Sequence, residues 1–151
     1  MAFCHWLGTR LGHEVSLPTE YQWQPAATGG DHAMIYPWGA HWEPAKEPWR
    51  ANTLESGLQH KTAVGLYPLG ASPSGVLDMA GNLWEWCLNA FDDPDDTRLP
   101  AHPQDRRAVR GGCWGGNLVN ACSAFRNGDD PDIRSGYVRF RVVHPPPGID
   151  R

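Results

Sequence analysis

Apolar residues open the chain at helical spacing: Phe3, Trp6, Leu7 and Leu11 share one face, and Gly12 follows as a C-terminal stop. This predicts a helix over Ala2–Leu11. Thr19, with Gln22 three residues later, has the form of a capping box and predicts a second short helix. Pro25 falls inside that helix, where a missing N–H and a ring clash should kink or end it, and Gly29-Gly30 closes it. From Tyr36 to Ser74 no period survives, so that stretch reads as irregular loop. Trp84-Glu85-Trp86 reads as a strand with both aromatics on one face, and Phe91 to Arg107 as a polar surface excursion. Ala108-Val109-Arg110 is a short strand. The clearest alternation runs from Tyr137 to Val143: Val138, Phe140 and Val142 alternate with Tyr137, Arg139 and Arg141, which predicts a strand with its apolar side inward.

Composition narrows this picture. With 151 residues, 40% apolar and 20% charged, the chain supports one domain (1–151) with a packed core. Its 8 Trp, 17 Gly and 14 Pro point to ordered loops anchored on aromatic side chains. A net charge of −4 without a basic stripe argues against nucleic acid as partner. No apolar run approaches the roughly 18 residues of a membrane span, so no membrane insertion is expected, and no secretory signal is visible. Localisation is left open. The cysteines Cys4, Cys87, Cys113 and Cys122 form no C-x-x-C pair. Cys4 and Cys87 read as small buried hydrophobes, while pairing of Cys113 with Cys122 depends on geometry that sequence does not give.

An ordered series of segments carries a resemblance. It comprises Trp6-Leu7, Leu17-Pro18-Thr19-Glu20 with Trp23, Tyr36-Pro37-Trp38-Gly39, Asn52, Val64-Gly65 and Pro68. Leu77-Asp78-Met79-Ala80-Gly81-Asn82-Leu83-Trp84-Glu85-Trp86, Arg110-Gly111-Gly112, Arg126 and Phe140-Arg141-Val142 complete it. In this order the segments resemble the formylglycine-generating-enzyme (sulfatase-modifying factor) family from about Phe3 to Val143. The resemblance implies an α+β, loop-rich variant of the C-type lectin fold. Its usual first strands have no counterpart ahead of the opening helix, which predicts an N-terminal truncation.

Two site expectations follow from that resemblance. In similar proteins the Asp78–Glu85 segment binds a structural calcium through positions matching Asp78, Gly81, Leu83 and Glu85, and carboxylate and carbonyl oxygens do suit that hard cation. The alternative is that Asp78 and Glu85 merely cap turns and hydrogen-bond backbone amides; Asn52 is a weaker candidate for a second ion site. Catalytic members bind copper(I) through two cysteines beyond their Arg-Gly-Gly-Ser-Trp segment, as soft thiolates favour. Here Gly116 holds the first of those positions, the second has no clear counterpart, and Cys113 replaces the motif serine. No copper, and hence no oxidase activity, is expected.

Arg110 to Val143 further resembles the variable proteins of diversity-generating retroelements, in which adenine-directed mutagenesis alters mainly Asn codons. Arg110-Gly111-Gly112, Trp114, Ala124-Phe125-Arg126-Asn127, Pro131-Asp132, Arg134 and Phe140-Arg141-Val142-Val143 stand as framework. Between them, Cys113, Gly115, Gly116, Asn117, Leu118 and Asn120, then Gly128, Asp129, Asp130, Ile133, Ser135, Gly136, Tyr137 and Arg139, occupy the places that vary. Arg139 stands where Gly is usual. This implies a non-catalytic protein that binds a protein or cell-surface ligand through loops held on a rigid scaffold. The alternatives are a formylglycine-generating oxidase acting on sulfatase cysteines, or an undiversified pseudo-enzyme of that family.

Overall fold

The computed structural model describes residues 1–42, 49–97 and 104–144; the middle of the predicted polar excursion, residues 98–103, therefore lies outside the described residues. Helix α1 spans Ala2–Leu11 and ends on Gly12, whose φ of 74° lets its N–H reach the Gly8 carbonyl. Its predicted apolar face is open: Phe3, Trp6 and Leu11 stay about half exposed, and only Cys4 is buried. Phe3 packs on Trp6 and on Phe140, with ring centroids 5.5 and 5.3 Å apart.

Helix α2 spans Glu20–Thr28 behind the expected box: Thr19 accepts from the Gln22 N–H while the Gln22 side chain accepts from the Thr19 N–H. Pro25 does not end it. The helix continues for another turn because Trp23, Ala27 and Thr28 are buried, and that packing outweighs one lost backbone hydrogen bond. Gly29 then caps the Pro25 carbonyl.

The strands are β1 (Trp84–Ala90), β2 (Arg107–Arg110), β3 (Arg126–Asp129) and β4 (Val138–Arg139). They form one sheet in the order β3-β2-β1-β4, antiparallel except for the parallel β1–β4 pair. Trp23, Ala27, Met79, Cys87 and Ala108 pack between α2 and the sheet; burying a side chain such as Met79 contributes on the order of 2 kcal/mol. A second cluster, Tyr36, Ala51, Ala80 and Ala121, lies under the loops with Trp38, Trp42 and Leu118 against it.

In β1 both tryptophans share one face, as expected, and that face is only partly covered, while Glu85, Cys87 and Asn89 are buried. The C-terminal strand departs from the sequence expectation. In the C-terminal segment Phe140 and Val142 face outward, while the Arg139 and Arg141 side chains turn in and are only 14% and 26% exposed. Regular pairing there shrinks to β4 and a bridge between Ser16 and Val143. The buried carboxylates of Glu85 on β1 and of Asp78 just before it draw these arginines inward, since a buried charge left unpaired costs more than a half-exposed aromatic.

Between the elements, the loops are tied down by backbone and amide hydrogen bonds. Asn52 is fully buried and bonds Asn82 and the His60 carbonyl, while its own side-chain oxygen accepts from Ser56. Its amide is thus used up inside the protein. Gly81 at φ 73° passes so close to Asn52 that an added Cβ would lie 2.4 Å from the Asn52 carbonyl oxygen, which explains glycine at this turn.

Candidate functional site

Two loops meet at the end of the sheet. The first follows β2: Gly112 at φ 76° turns the chain, and the Trp114 N–H donates to the Asn82 carbonyl. The second leads into β4, where the Tyr137 carbonyl accepts from the Trp84 N–H at 2.8 Å. Their contact is a ring stack: Trp114 and Tyr137 lie 4.7 Å apart at an interplanar angle of 22°. Tyr137 also covers Gly115, where an added Cβ would come within 3.0 Å of its ring. Aromatic stacking of this kind contributes about 0.5–1.5 kcal/mol beyond area burial, and it joins the two loops into one face.

Most of the expected face residues lie on these two loops. Asn117 is exposed and its side-chain oxygen accepts from the Val119 and Asn120 N–H groups, which fixes a tight turn. Asp130 accepts from the Asp132 N–H, Ile133 closes the same turn, and Ser135 accepts from the Tyr137 N–H. Ile133 and Tyr137 remain exposed as apolar contact surface. Gly116, partly covered, has its carbonyl held by the Leu54 N–H.

Several expected positions lie elsewhere. Cys113 is buried. Leu118 points down onto the aromatic cluster, and its N–H donates to Glu55, so it anchors the loop from below. The exposed apolar side chain of that loop is Val119, which is not among the positions expected to vary. Gly128 and Asp129 belong to β3, paired with Ala108 and Arg107. An added Cβ on Gly128 would lie 2.5 Å from the Phe91 ring, so this glycine is a packing position. Arg139 is inside the protein.

The four cysteines are free thiols, which settles the pairing of Cys113 with Cys122 as absent. The Cys122 thiol donates to the Leu118 carbonyl and contacts the Tyr36 hydroxyl. Burial pushes the Tyr36 hydroxyl pKa up, and Cys122 adds to that. Burial raises the Cys87 thiol likewise, so it stays protonated and unreactive at neutral pH.

A family model described as the sulfatase-modifying factor enzyme 1-like domain matches residues 1–146. The chain belongs to this family. It is 31% identical over 152 residues to the inactive C-alpha-formylglycine-generating enzyme 2 of Bos taurus, covering 94% of this chain and 46% of the bovine protein. It therefore spans less than half of that relative's length. Among solved structures, PvdO from Pseudomonas aeruginosa superposes with a TM-score of 0.77 at 25% identity, over 93% of this chain and 56% of PvdO. Variable protein 1 of Treponema denticola superposes at 0.70 and 24% identity, over 89% and 49% of the two chains. The fold is accordingly α+β, of the C-type lectin-like kind that sulfatase-modifying factor domains adopt.

The calcium expected of this family does not fit the donors as they stand. Glu85 Oε1 accepts from Arg139 and Arg141, at 2.9 Å from Arg139 Nε and 2.6 Å from Arg141 Nη2. Glu85 Oε2 accepts from Trp23 Nε1 at 2.8 Å and from Arg141 Nε at 2.6 Å. The Asp78 carboxylate accepts from the Gly65 N–H at 2.7 Å and lies 3.9 Å from Arg139 Nη1. The Gly81 carbonyl accepts from the Leu83 N–H. A buried carboxylate already matched by guanidinium groups has neither charge nor lone pairs to spare for calcium. Burial works against the charge of Arg141, but Glu85 outweighs it and raises the Arg141 pKa.

A second charge cluster lies across Trp23. Glu20 accepts from Arg110 at 2.8 Å and from Arg126 at 2.8 and 2.7 Å. Asn89 donates to the same carboxylate, and the Arg110 guanidinium stacks 4.8 Å over the Trp23 ring. Arg110 and Arg126 begin and end the loop that carries Trp114, so this cluster fixes both feet of the first half of the face.

Proposed function

We propose that this domain is a non-catalytic binding protein whose exposed face, built from the loops around Trp114–Asn120 and Asp130–Tyr137, engages a protein or cell-surface ligand and is diversified in the manner of retroelement variable proteins. The observation that carries the reading is the Trp114–Tyr137 stack, which merges the two loops above a sheet held by buried ion pairs. Such an arrangement presents side chains from a preorganised base, where little entropy is lost on binding. Tyr137, Val119 and Ile133 serve as exposed apolar contacts, and Asp130 and Asp132 add charge. The superposition with the Treponema denticola variable protein supports the reading at the level of the fold.

Gly116 stands where the copper-binding enzymes carry their first cysteine, and Cys113 is buried, which favours a binding role over oxidation of sulfatase cysteines. Incubated with copper(I) and a cysteine-containing sulfatase peptide, the purified domain is expected to yield no formylglycine by mass spectrometry. Copper-dependent conversion that disappears in Cys113→Ala or Cys122→Ala would overturn the assignment. Similarity to a relative named as inactive also favours an undiversified pseudo-enzyme as the second reading, which shares the absence of oxidation but not the variable face.

A further inference from the structure

We propose that the Arg139 guanidinium is a built-in replacement for the structural calcium, so that this domain folds and keeps its binding face in place without that metal. The argument is the identity of the oxygen atoms that Arg139 meets. Its Nη2 donates to the Asp78 carbonyl at 2.6 Å, its Nε to Glu85 Oε1 at 2.9 Å, and its Nη1 lies 3.9 Å from Asp78 Oδ2. Two of the residues expected to ligate calcium, Asp78 and Glu85, thus converge on one side chain of the protein itself. Asp78 sits at φ 58°, a conformation L-residues seldom adopt, and both its carbonyl and its carboxylate face this arginine.

The charge count points the same way. Asp78 and Glu85 carry two negative charges and Arg139 and Arg141 two positive ones, so the cluster is neutral as built. Without a guanidinium at 139, two carboxylates would face Arg141 alone. A surplus negative charge and freed carboxylate and carbonyl oxygens would then suit a hard cation. With arginine present, an incoming divalent ion meets occupied oxygens and two guanidinium groups that repel it.

Arg139 also lies in β4, which pairs with β1 through only Trp84–Val138 and Glu85–Arg139. Backbone pairing this short holds little on its own. The guanidinium pins the strand through its side chain, two residues beyond Tyr137, and so fixes the second half of the candidate face.

Thermal unfolding of the purified domain in excess EGTA and in millimolar calcium chloride, with a calorimetric calcium titration, tests this. The wild-type Tm is expected to be the same in both, with no stoichiometric calcium heat. Arg139→Gly is expected to melt roughly 10 °C lower in EGTA and to regain several degrees on adding calcium. A calcium-raised Tm in the wild type would overturn the proposal, and so would an Arg139→Gly variant that calcium leaves unchanged or that melts like the wild type. If the glycine variant does not fold in either buffer, Arg139→Lys decides. Lysine keeps the charge but not the forked reach, so a lowered Tm without calcium response supports the replacement and an unchanged Tm contradicts it.

Discussion

Glu20→Ala is expected to lower the unfolding free energy by about 3–5 kcal/mol, as removal of one partner from a buried ion pair does. Glu20 is 6% exposed, and the Arg110 side chain that it neutralises is 4% exposed, so the stranded guanidinium has no route to water. Arg110 would keep hydrogen bonds to Gln24 and the Ser123 carbonyl, and Arg126 would keep the Phe91 carbonyl and the charge of Asp92, but both would lose their paired carboxylate. Urea unfolding of the two proteins measures the difference; a loss under about 1 kcal/mol would mean that the cluster behaves as a surface pair.

The same cluster sets an acid sensitivity. Burial pushes the Glu20 pKa up, but the hydrogen bonds and charges of Arg126 and Arg110 outweigh it and hold the carboxyl below its ordinary value of 4.5. A folded-state pKa below the unfolded one means that the stabilisation is fully present above about pH 4.5 and is lost as pH falls through the folded pKa. Glu20→Gln removes this contribution, so its stability should depend less on pH in that acid window than the wild type's.

Glu85→Ala is expected to cost as much, about 3–5 kcal/mol, and to act on a different part of the molecule. Glu85 is 1% exposed and receives Trp23, Arg139 and Arg141. Its loss leaves Asp78 to face two guanidinium groups, frees the indole N–H, and weakens the side-chain hold on β4. Amide hydrogen exchange should therefore accelerate most in the segment that follows Tyr137. An exchange pattern unchanged there, with stability lost uniformly, would contradict the role of Glu85 as the anchor of the C-terminal segment. Trp23 links the two clusters, with its ring under Arg110 and its N–H on Glu85. The core tryptophan is thus held between charges as well as by apolar packing.

Local signals in the sequence located both helices well. The capping box of Thr19 and Gln22 and the stop at Gly12 act within one turn of the chain, so their outcome depends on neighbours that the sequence displays. Order of motifs gave the family and the fold. Strand facing was illegible for a physical reason: alternation assumes that apolar side chains go inside, and here carboxylates do. Their partners lie far along the chain, with 54 and 56 residues separating Glu85 from Arg139 and Arg141, and 90 and 106 separating Glu20 from Arg110 and Arg126. The available sign was the period-two pair Arg139 and Arg141 on a strand otherwise apolar. The binding face was legible as two loops but not in its membership. Cys113, Leu118, Gly128 and Arg139 are claimed by packing or ion pairing, which the loop pattern alone does not reveal, nor does it mark Val119 as exposed.

The most direct test of the diversified face is to sequence the coding segment for residues 110–143, with its flanking DNA, across the source population. Variation is expected to concentrate at Gly115, Asn117, Asn120, Asp130, Ile133 and Ser135, opposite adenines of a nearby near-copy of the segment, and to spare Tyr137, whose ring stacks on Trp114. Arg110, Gly112, Arg126 and Gly128 should stay constant, since they hold the feet and turns of the loops. A segment invariant throughout, with no near-copy and no reverse transcriptase alongside, would contradict diversification and leave the domain an undiversified pseudo-enzyme.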